Sequence, residues 1–230
     1  RDVERSRGLG DVYKRQISQV IVDLCTQRLP KAYGYSAFDN IQVLCPSKKG
    51  ELGTAEMNFR LQKALNPKSA DKAEIEIASK TFRIGDKVMQ IKNNYDITWI
   101  RDDGEQGSGI FNGDIGIIDS IDRKSRTLIV IFDDKTAKYT YEYATDLDFA
   151  YAVTVHKSQG NEFDCVIIPM FQGPPQLYYR NLLYTAVTRA KKTLVLVGNP
   201  KTVEYMVQNN RRTKRYSGLK EFLLRDEQLY

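Results

Sequence analysis

The sequence contains few cysteines and no long apolar run. Cys25, Cys45 and Cys165 are far apart, odd in number and without CxxC spacing. That pattern is typical of reduced, buried thiols and not of a disulfide framework or a metal site. No apolar run approaches the roughly 18 residues that a membrane helix needs, and the N-terminal stretch lacks the apolar core of a signal peptide. These absences favour a cytoplasmic globular protein.

The charge balance is positive. Lys and Arg outnumber Asp and Glu by 35 to 29, which gives a formal net charge of +6. A basic surface suits a polyanion such as nucleic acid, but many basic proteins bind none, so charge alone decides little. The densest basic cluster, residues 209–220, is interpreted first as a solvated helix end or loop and only second as a phosphate-contacting patch.

The hydrophobic pattern divides the 230 residues into four stretches. Residues 1–16 show no apolar periodicity and predict a disordered tail or a cloning remnant. Residues 17–81 alternate helix, strand and helix, and residues 144–230 return to that alternation, which predicts one discontinuous α/β domain. Residues 82–143 are short runs rich in Val, Ile and aromatics between Gly, Asn and Asp turns. They predict a small all-β barrel of about five strands, inserted at a surface turn of the α/β domain.

Several elements of the α/β domain can be placed from local signals. They are a helix from Ile17 that Pro30 stops, a strand over 41–46, a helix with Thr54 as N-cap, a strand over 165–169, a helix over 179–192, a strand over 193–198, and a helix begun by Asn199 and Pro200.

Three tyrosines alternate with polar residues in the β-rich stretch. Tyr139, Tyr141 and Tyr143 are therefore predicted to share one strand face. Such a face can stack nucleic-acid bases. The more common alternative, which we favour, is barrel core with the hydroxyls at its rim.

Polar residues interrupt the apolar runs at two places, "HKSQGNEF" and "TAVTRAKK". Polar loops that follow parallel strands gather at one edge of the sheet, where ligands bind. Thr154 and Ser158 offer hydroxyls, Lys157 a point charge, Gly160 close backbone approach and Arg189 a bidentate fork. These groups suit a polyphosphate or a phosphodiester. Residue chemistry alone leaves an ordinary loop and a satisfied helix end as an equal alternative.

Longer strings narrow the choice. "TVHKSQGNEFDCVIIP" and "LLYTAVTRAKKTLVLVG" resemble motifs V and VI of superfamily 1 helicases, in the form found in RecD-like ATP-dependent DNA helicases. "VLCPSKKGELGTAEMNFRLQKALNP" and "FRIGDKVMQIKNNYD…GIFNGDIGII" resemble the same family, so that the likeness covers about residues 17–215. It implies the second RecA-like domain, an α/β fold with a parallel sheet and helices on both faces, interrupted by a Src-homology-3-like barrel.

The resemblance also implies roles for individual residues. Arg189 resembles the arginine finger that meets the γ-phosphate of ATP, and Gly160 and Glu162 resemble motif V residues near the nucleotide. The residues that resemble those at or beside the single-stranded DNA track are Thr154, His156, Lys157 and Ser158. No metal ligand is implied in this chain.

One departure from the family pattern limits what the chain can do. GxxxxGK[ST] is absent, and no Walker B acid pair follows a strand at the place expected for the family. We therefore expect this chain to form one wall of an ATP cleft, with the phosphate cradle and Mg²⁺ on a missing N-terminal RecA-like domain of the same polypeptide. By itself the chain is expected to be inactive. The resemblance also implies movement 5′ to 3′ along DNA for the complete helicase. A stand-alone nucleic-acid-binding module is the alternative. An exonuclease V α-subunit and a relaxase-helicase would share these motifs.

Overall fold

The computed structural model describes residues 2–210, with side chains from Gly10 onward. Residues 211–220 of the basic cluster lie outside the described residues. The helices are α1 (Asp2–Asp23), α2 (Leu29–Tyr33), α3 (Thr54–Leu65), α4 (Arg180–Val187) and α5 (Pro200–Gln208). The strands are β1 (Ile41–Cys45), β2 (Glu74–Ile77), β3 (Lys80–Arg83), β4 (Lys87–Gln90), β5 (Asn94–Arg101), β6 (Gln106–Ile110), β7 (Ile115–Asp122), β8 (Thr127–Phe132), β9 (Lys135–Thr140), β10 (Leu147–Phe149), β11 (Ala152–Thr154), β12 (Phe163–Met170) and β13 (Ala190–Gly198).

A four-stranded parallel sheet, in the order β11-β1-β12-β13, forms the centre of the α/β domain. All five residues of β1 are buried, as are the last six of β12. Strands covered on both faces carry continuous apolar runs in this way, which is why "IQVLC" and "CVIIP" lack a polar alternation.

Helices cover both faces of this sheet. On one face, Ile21 of α1 and Met57 of α3 pack with Val43 of β1. On the other face, Leu183 of α4 and Met206 of α5 pack with strand residues that include Leu44, Val166 and Ile168. The predicted α/β class, with a parallel sheet and helices on both faces, is confirmed.

The inserted unit is a curled antiparallel sheet of seven strands, in the order β10-β4-β7-β8-β9-β5-β6, with β2 and β3 as a separate hairpin. Phe82, Ile118, Val130 and Tyr139 are fully buried in its own core. This core runs from Ile77 to Leu147. The unit therefore has more strands and a wider span than the predicted five strands over 82–143.

The structure differs from the prediction at the N-terminus. Helix α1 begins at Asp2, where a tail was expected, and Tyr13 packs against Phe171 with ring centroids 6.0 Å apart. Pro30 does not stop the helical run, because it lies in the first turn of α2, where a missing N–H costs nothing. A π-helical turn, Leu24–Arg28, precedes it, and Gly34 ends the run with a φ of 69°.

Three further boundaries differ from the prediction: the N-cap of α3, the end of α4 and the start of β13. Gly53, not Thr54, is the N-cap of α3, and a Cβ at Gly53 would lie 2.5 Å from the Lys49 carbonyl oxygen. Helix α4 ends at Val187, because Ala190 pairs with Phe163 and already begins β13.

The three tyrosines do not share one strand face. Strand β9 ends at Thr140, and Tyr143 begins a 3₁₀ turn. Tyr139 alone is deep in the barrel core, where its hydroxyl donates to Gln90 Oε1 at 2.9 Å. Tyr141 and Tyr143 are half-buried against that core, so the favoured core interpretation fits better than a stacking platform.

Candidate nucleic-acid and nucleotide site

Two loops meet at one edge of the parallel sheet. Strands β1 and β11 are parallel neighbours in a register that pairs Cys45 with Thr154, the last residue of each strand. The loops that follow, 46–53 and 155–162, therefore start side by side. Of the two polar stretches predicted to gather at one sheet edge, "HKSQGNEF" begins at this edge, whereas "TAVTRAKK" leads into β13 at the opposite edge, where Ala190 pairs with Phe163.

A 3₁₀ turn, Val155–Ser158, follows β11 and presents His156 and Lys157. Thr154 caps it, since its Oγ1 accepts from the Lys157 backbone N–H at 3.4 Å. Ser158 is fully buried and donates its hydroxyl to the Val155 carbonyl at 2.7 Å. His156 is exposed, with Nε2 3.4 Å from the Tyr179 hydroxyl. The Ser158 hydroxyl is therefore occupied within its own turn, whereas His156 is exposed and Lys157 is half-buried.

Lys157 lies at a cleft between the sheet edge and the barrel, with a volume of about 340 Å³. Lys48 from the loop after β1 and Lys80 from β3 also line it, and we call this site the lysine cleft. One acid faces the three lysines: Asp148, whose Oδ1 is 3.0 Å from Lys80 Nζ. Burial lowers the pKa of Lys157, Asp148 opposes that shift, and Lys48 and Lys80 add to it. The cleft is therefore an electropositive site with more lysines than acids.

Arg189 lies in the short connection between α4 and β13, residues 188–189, which we call the arginine turn. Its Nε donates to the Thr185 carbonyl at 3.3 Å, Nη1 to the Asn161 carbonyl at 3.2 Å and Nη2 to Thr188 Oγ1 at 3.3 Å. A guanidinium has five N–H groups. Within residues 2–210, these three bonds leave one N–H on each terminal nitrogen without an acceptor. Arg189 is half-buried, so those groups can reach a ligand.

The arginine turn is joined to the loop after β11. The Phe163 N–H donates to the Arg189 carbonyl at 2.8 Å, and the Asn161 carbonyl accepts from the guanidinium. Gly160 has a φ of 91° and no heavy atom within 4 Å of the position a Cβ would take, so its backbone is open to approach. The predicted nucleotide group, Gly160, Glu162 and Arg189, is thus brought into one neighbourhood.

Glu162 faces a second and larger cleft, of about 830 Å³, between the α/β domain and the barrel. Lys191 lines it from the same side, and Arg101 and Asp114 from the barrel. The Asn161 amide also crosses to the barrel, where it donates to the Gly113 carbonyl at 3.1 Å. Glu162 therefore lies across this cleft from residues of the barrel.

The described part of the chain contains no metal-ligand cluster, no membrane-spanning helix and no disulfide. No cluster of three or more His, Cys, Asp or Glu side chains there could hold a metal ion, so we assign no Mg²⁺ ligand to it. No described helix has the length and apolarity to cross a membrane. All three cysteines are buried and free of disulfides. Burial raises the pKa of Cys25 and Cys45 to about 12, so these thiols are poor nucleophiles.

Sequence reasoning missed Lys48, Lys80 and Asn161. Lys48 carried a usable signal, because it follows a buried strand that ends at the ligand edge. Lys80 carried none, since it belongs to the β2–β3 hairpin and reaches the cleft only through docking of the barrel. Asn161 acts through its carbonyl oxygen, which every residue type has.

Two family models match the chain. One is described as the SH3 domain of ATP-dependent RecD-like DNA helicases and matches residues 57–132. The other is described as the UvrD-like helicase C-terminal domain and matches residues 149–197. The first match covers most of the barrel, and the second covers the loop after β11, the arginine turn and most of β13.

Curated proteins and solved structures with similarity to the chain include the following three. The ATP-dependent RecD2 DNA helicase of Deinococcus radiodurans is 33% identical over 159 residues, which are 69% of this chain and 20% of that protein. The RecBCD enzyme subunit RecD of Mycolicibacterium smegmatis is 26% identical over 188 residues, which are 82% of this chain and 30% of that protein. Among solved structures, the Pif1 helicase from Bacteroides in complex with ADP-AlF3 and ssDNA aligns with a TM-score of 0.46 at 16% identity, over 92% of this chain and 49% of that one. The chain thus spans between 20% and 30% of the length of these two curated relatives.

Proposed function

Because this chain belongs to the RecD-like superfamily 1 helicases and corresponds to their C-terminal part, we propose that it is one half of an ATP-dependent DNA helicase motor that moves 5′ to 3′. It supplies the arginine-finger wall of the ATP cleft and part of the single-stranded DNA track. The N-terminal RecA-like domain of the same polypeptide supplies the Walker A lysine and the Walker B acids, and with them Mg²⁺.

The observation that carries this proposal is the tie between the arginine turn and the loop after β11. Arg189 donates three of its five guanidinium N–H groups, to Thr185, Thr188 and Asn161. These bonds hold the side chain in place before any ligand arrives. The two remaining N–H groups, one on each terminal nitrogen, suit the oxygens of a terminal phosphate. A fixed donor of this kind stabilises the charge that develops on the transferred phosphoryl group.

The DNA side of the proposal rests on His156 and Lys157. Their 3₁₀ turn is held rigid by Thr154 and Ser158, so both side chains are presented without further ordering. Lys157 offers a charge to a phosphodiester, and exposed His156 offers a ring that can donate to a phosphate oxygen or stack on a base.

The loop after β11 connects the proposed DNA-binding turn to the proposed phosphate-binding arginine. It leaves β11 at Thr154, passes Lys157 and reaches Asn161, whose carbonyl Arg189 holds. A change in the position of Arg189 when a γ-phosphate binds is therefore transmitted over a few residues to the DNA-facing turn. That short path is a physical route by which ATP binding and hydrolysis move the grip on DNA.

The test is ATP hydrolysis by the longer parent polypeptide that carries the Walker residues. Arg189→Ala is expected to lower the DNA-stimulated rate by about 10³–10⁵, as loss of an arginine finger does. Arg180→Ala is the matched control, because exposed Arg180 also donates to a main-chain carbonyl, that of Val207, and begins the helix that leads to the arginine turn. Equal rates in the two variants would remove Arg189 from the catalytic wall.

The second candidate is a stand-alone nucleic-acid-binding module. The lysine cleft favours it, because three lysines and one acid line this site, which suits a polyanion. An upstream segment with GxxxxGK[ST] in the same reading frame would decide for the motor, and a reading frame without one would decide for the module.

A further inference from the structure

The lysine cleft has an apolar floor. Met89 of β4 and Val153 of β11 are buried at its base, and Phe149 packs beside them with its ring centroid 4.9 Å from that of Phe82. The amide nitrogen of Asn58, also in the lining, donates to the Phe149 and Ala152 carbonyls. Its amide oxygen accepts from the Ala152 N–H. The floor therefore offers apolar contact without spare amide donors that could select one base.

The rim of the cleft is cationic and comes from three separate segments. Lys48, Lys80 and Lys157 contribute three ammonium groups against the one carboxylate of Asp148. Lys80 is held in place, because its Nζ also donates to the Leu147 carbonyl at 3.1 Å. Two positive charges at the mouth thus remain uncompensated by this lining, which suits a chain of phosphodiesters.

The two walls of the cleft are fastened to each other nearby. Asp86, next to β4, accepts from Gln62 and Asn66 of α3 and from the Tyr151 hydroxyl, at 2.7, 2.7 and 2.8 Å. Lys87 of β4 is fully buried and donates to the Ala37 and Ile41 carbonyls of the α/β domain. The cleft is therefore preformed, and a ligand bears little ordering cost on entering it.

We propose that the lysine cleft holds one nucleotide of single-stranded DNA, with its base against partly exposed Phe149 and the flanking phosphates on Lys48 and Lys80 beside Lys157. This inference rests on the proposed function. A volume of about 340 Å³ lies at the small end of ligand pockets, about 300–1,000 Å³, and suits a single nucleoside. Because stacking on an aromatic ring does not depend on base identity and the Asn58 amide is already bonded, we expect little preference among bases.

The phosphate part is tested with this chain and a labelled oligothymidine, by fluorescence anisotropy across a salt series. Lys48→Ala and Lys80→Ala should each weaken binding and reduce the slope of log K against log salt by about 0.7. Lys63→Ala, at an exposed position of α3 outside the cleft, should leave affinity and slope unchanged. If wild type binds but the two cleft variants match Lys63→Ala, this inference fails and the proposed function stands. If wild type does not bind, the DNA side of the proposed function fails.

The base part uses the same oligomer made of abasic nucleotides, which keeps the phosphates and removes the bases. Wild type should prefer the intact oligomer. Ala55, an exposed residue at the N-terminal turn of α3, also lines the cleft, so Ala55→Leu fills it without disturbing a core position. That variant should bind both oligomers about equally and keep the wild-type salt slope. An undiminished preference for the intact oligomer in Ala55→Leu would place the bases elsewhere.

Discussion

The lysine cleft and the arginine turn present cations at opposite edges of one parallel sheet, and they are built differently. In the cleft, three lysines surround an open, apolar-floored space whose walls all come from this chain. In the arginine turn, one guanidinium is held by three acceptors of its own chain, and two N–H groups point to no acceptor within the described residues. The first is a site that can take its ligand unaided. In the proposed motor, the second is one side of a site whose other side comes from the N-terminal RecA-like domain.

The arginine turn and the lysine cleft should differ most in their response to an exchange between arginine and lysine. In the parent polypeptide, Arg189→Lys keeps the charge but loses the planar fork and the bonds that hold it, so we expect ATP turnover to fall by about 10³ or more. Lys157→Arg keeps a positive charge at a phosphate and should change DNA affinity little. DNA-stimulated ATPase rates and oligothymidine affinities measure the two effects. An Arg189→Lys variant with most of its turnover would support a helix-end role for this arginine.

The barrel wall of the cleft should depend on its core. Tyr139 is fully buried and bonded to Gln90, which neighbours Met89 on β4. Tyr139→Ala should lower the free energy of unfolding by about 3–5 kcal/mol, as large-to-small changes of buried aromatics do. Half-buried Tyr141, whose hydroxyl is 3.5 Å from the Asp122 carbonyl, should cost clearly less when changed to Ala. Denaturant unfolding of both variants checks this order. A stable Tyr141→Ala variant with reduced DNA affinity would revive the stacking interpretation.

The contact between the barrel and the α/β domain around Asp86 and Lys87, which we call the seam, should make the free energy of unfolding depend on pH. Burial lowers the pKa of Lys87 from its usual 10.5 to about 8. Between these values the unfolded chain binds more protons than the folded one, so this residue makes stability rise with pH from about 8 to 10.5. Over that window, wild type should gain about 3 kcal/mol relative to Lys87→Met, at 1.36 kcal/mol per pKa unit. Lys63→Met, at an exposed site, should track wild type. A constant difference between wild type and Lys87→Met would mean that the ammonium is solvated.

The smallest effect concerns the 3₁₀ turn. His156→Ala with Lys157→Ala removes the two outward side chains but keeps Thr154 and Ser158, which hold the turn. Single-stranded DNA should bind several-fold more weakly, with a shallower salt dependence because one phosphate contact is lost. Thermal unfolding of the double variant serves as the control and should be close to wild type. Salt-independent affinity in wild type would contradict the contact.

The sequence was sufficient where one local signal decided the structure. The continuous apolar runs of β1 and β12 could belong only to buried elements, and the polar string between β11 and β12 had to lie at a sheet edge. Predictions were wrong where pairing overrode propensity. Ala190 pairs with Phe163, so α4 ends at Val187 although the helical pattern runs on to Lys192.

Docking of the two domains was beyond prediction from one sequence. Lys80 and Asp148 belong to the barrel unit, and Lys48 and Lys157 to the α/β domain, so their meeting depends on the seam of Asp86 and Lys87. No periodicity reports such a contact. The bond that Ser158 makes within its own turn was equally beyond prediction, because a small hydroxyl can face a ligand or close its own turn without any difference in sequence.

The central claim is that this chain holds a complete DNA-binding cleft but only one wall of an ATP site. The most direct test measures oligothymidine affinity and ATP turnover on one preparation of the chain by itself. We expect salt-sensitive DNA binding, with ATP hydrolysis no faster than in a protein-free blank. Robust ATP turnover that Arg189→Ala leaves unchanged would contradict the account.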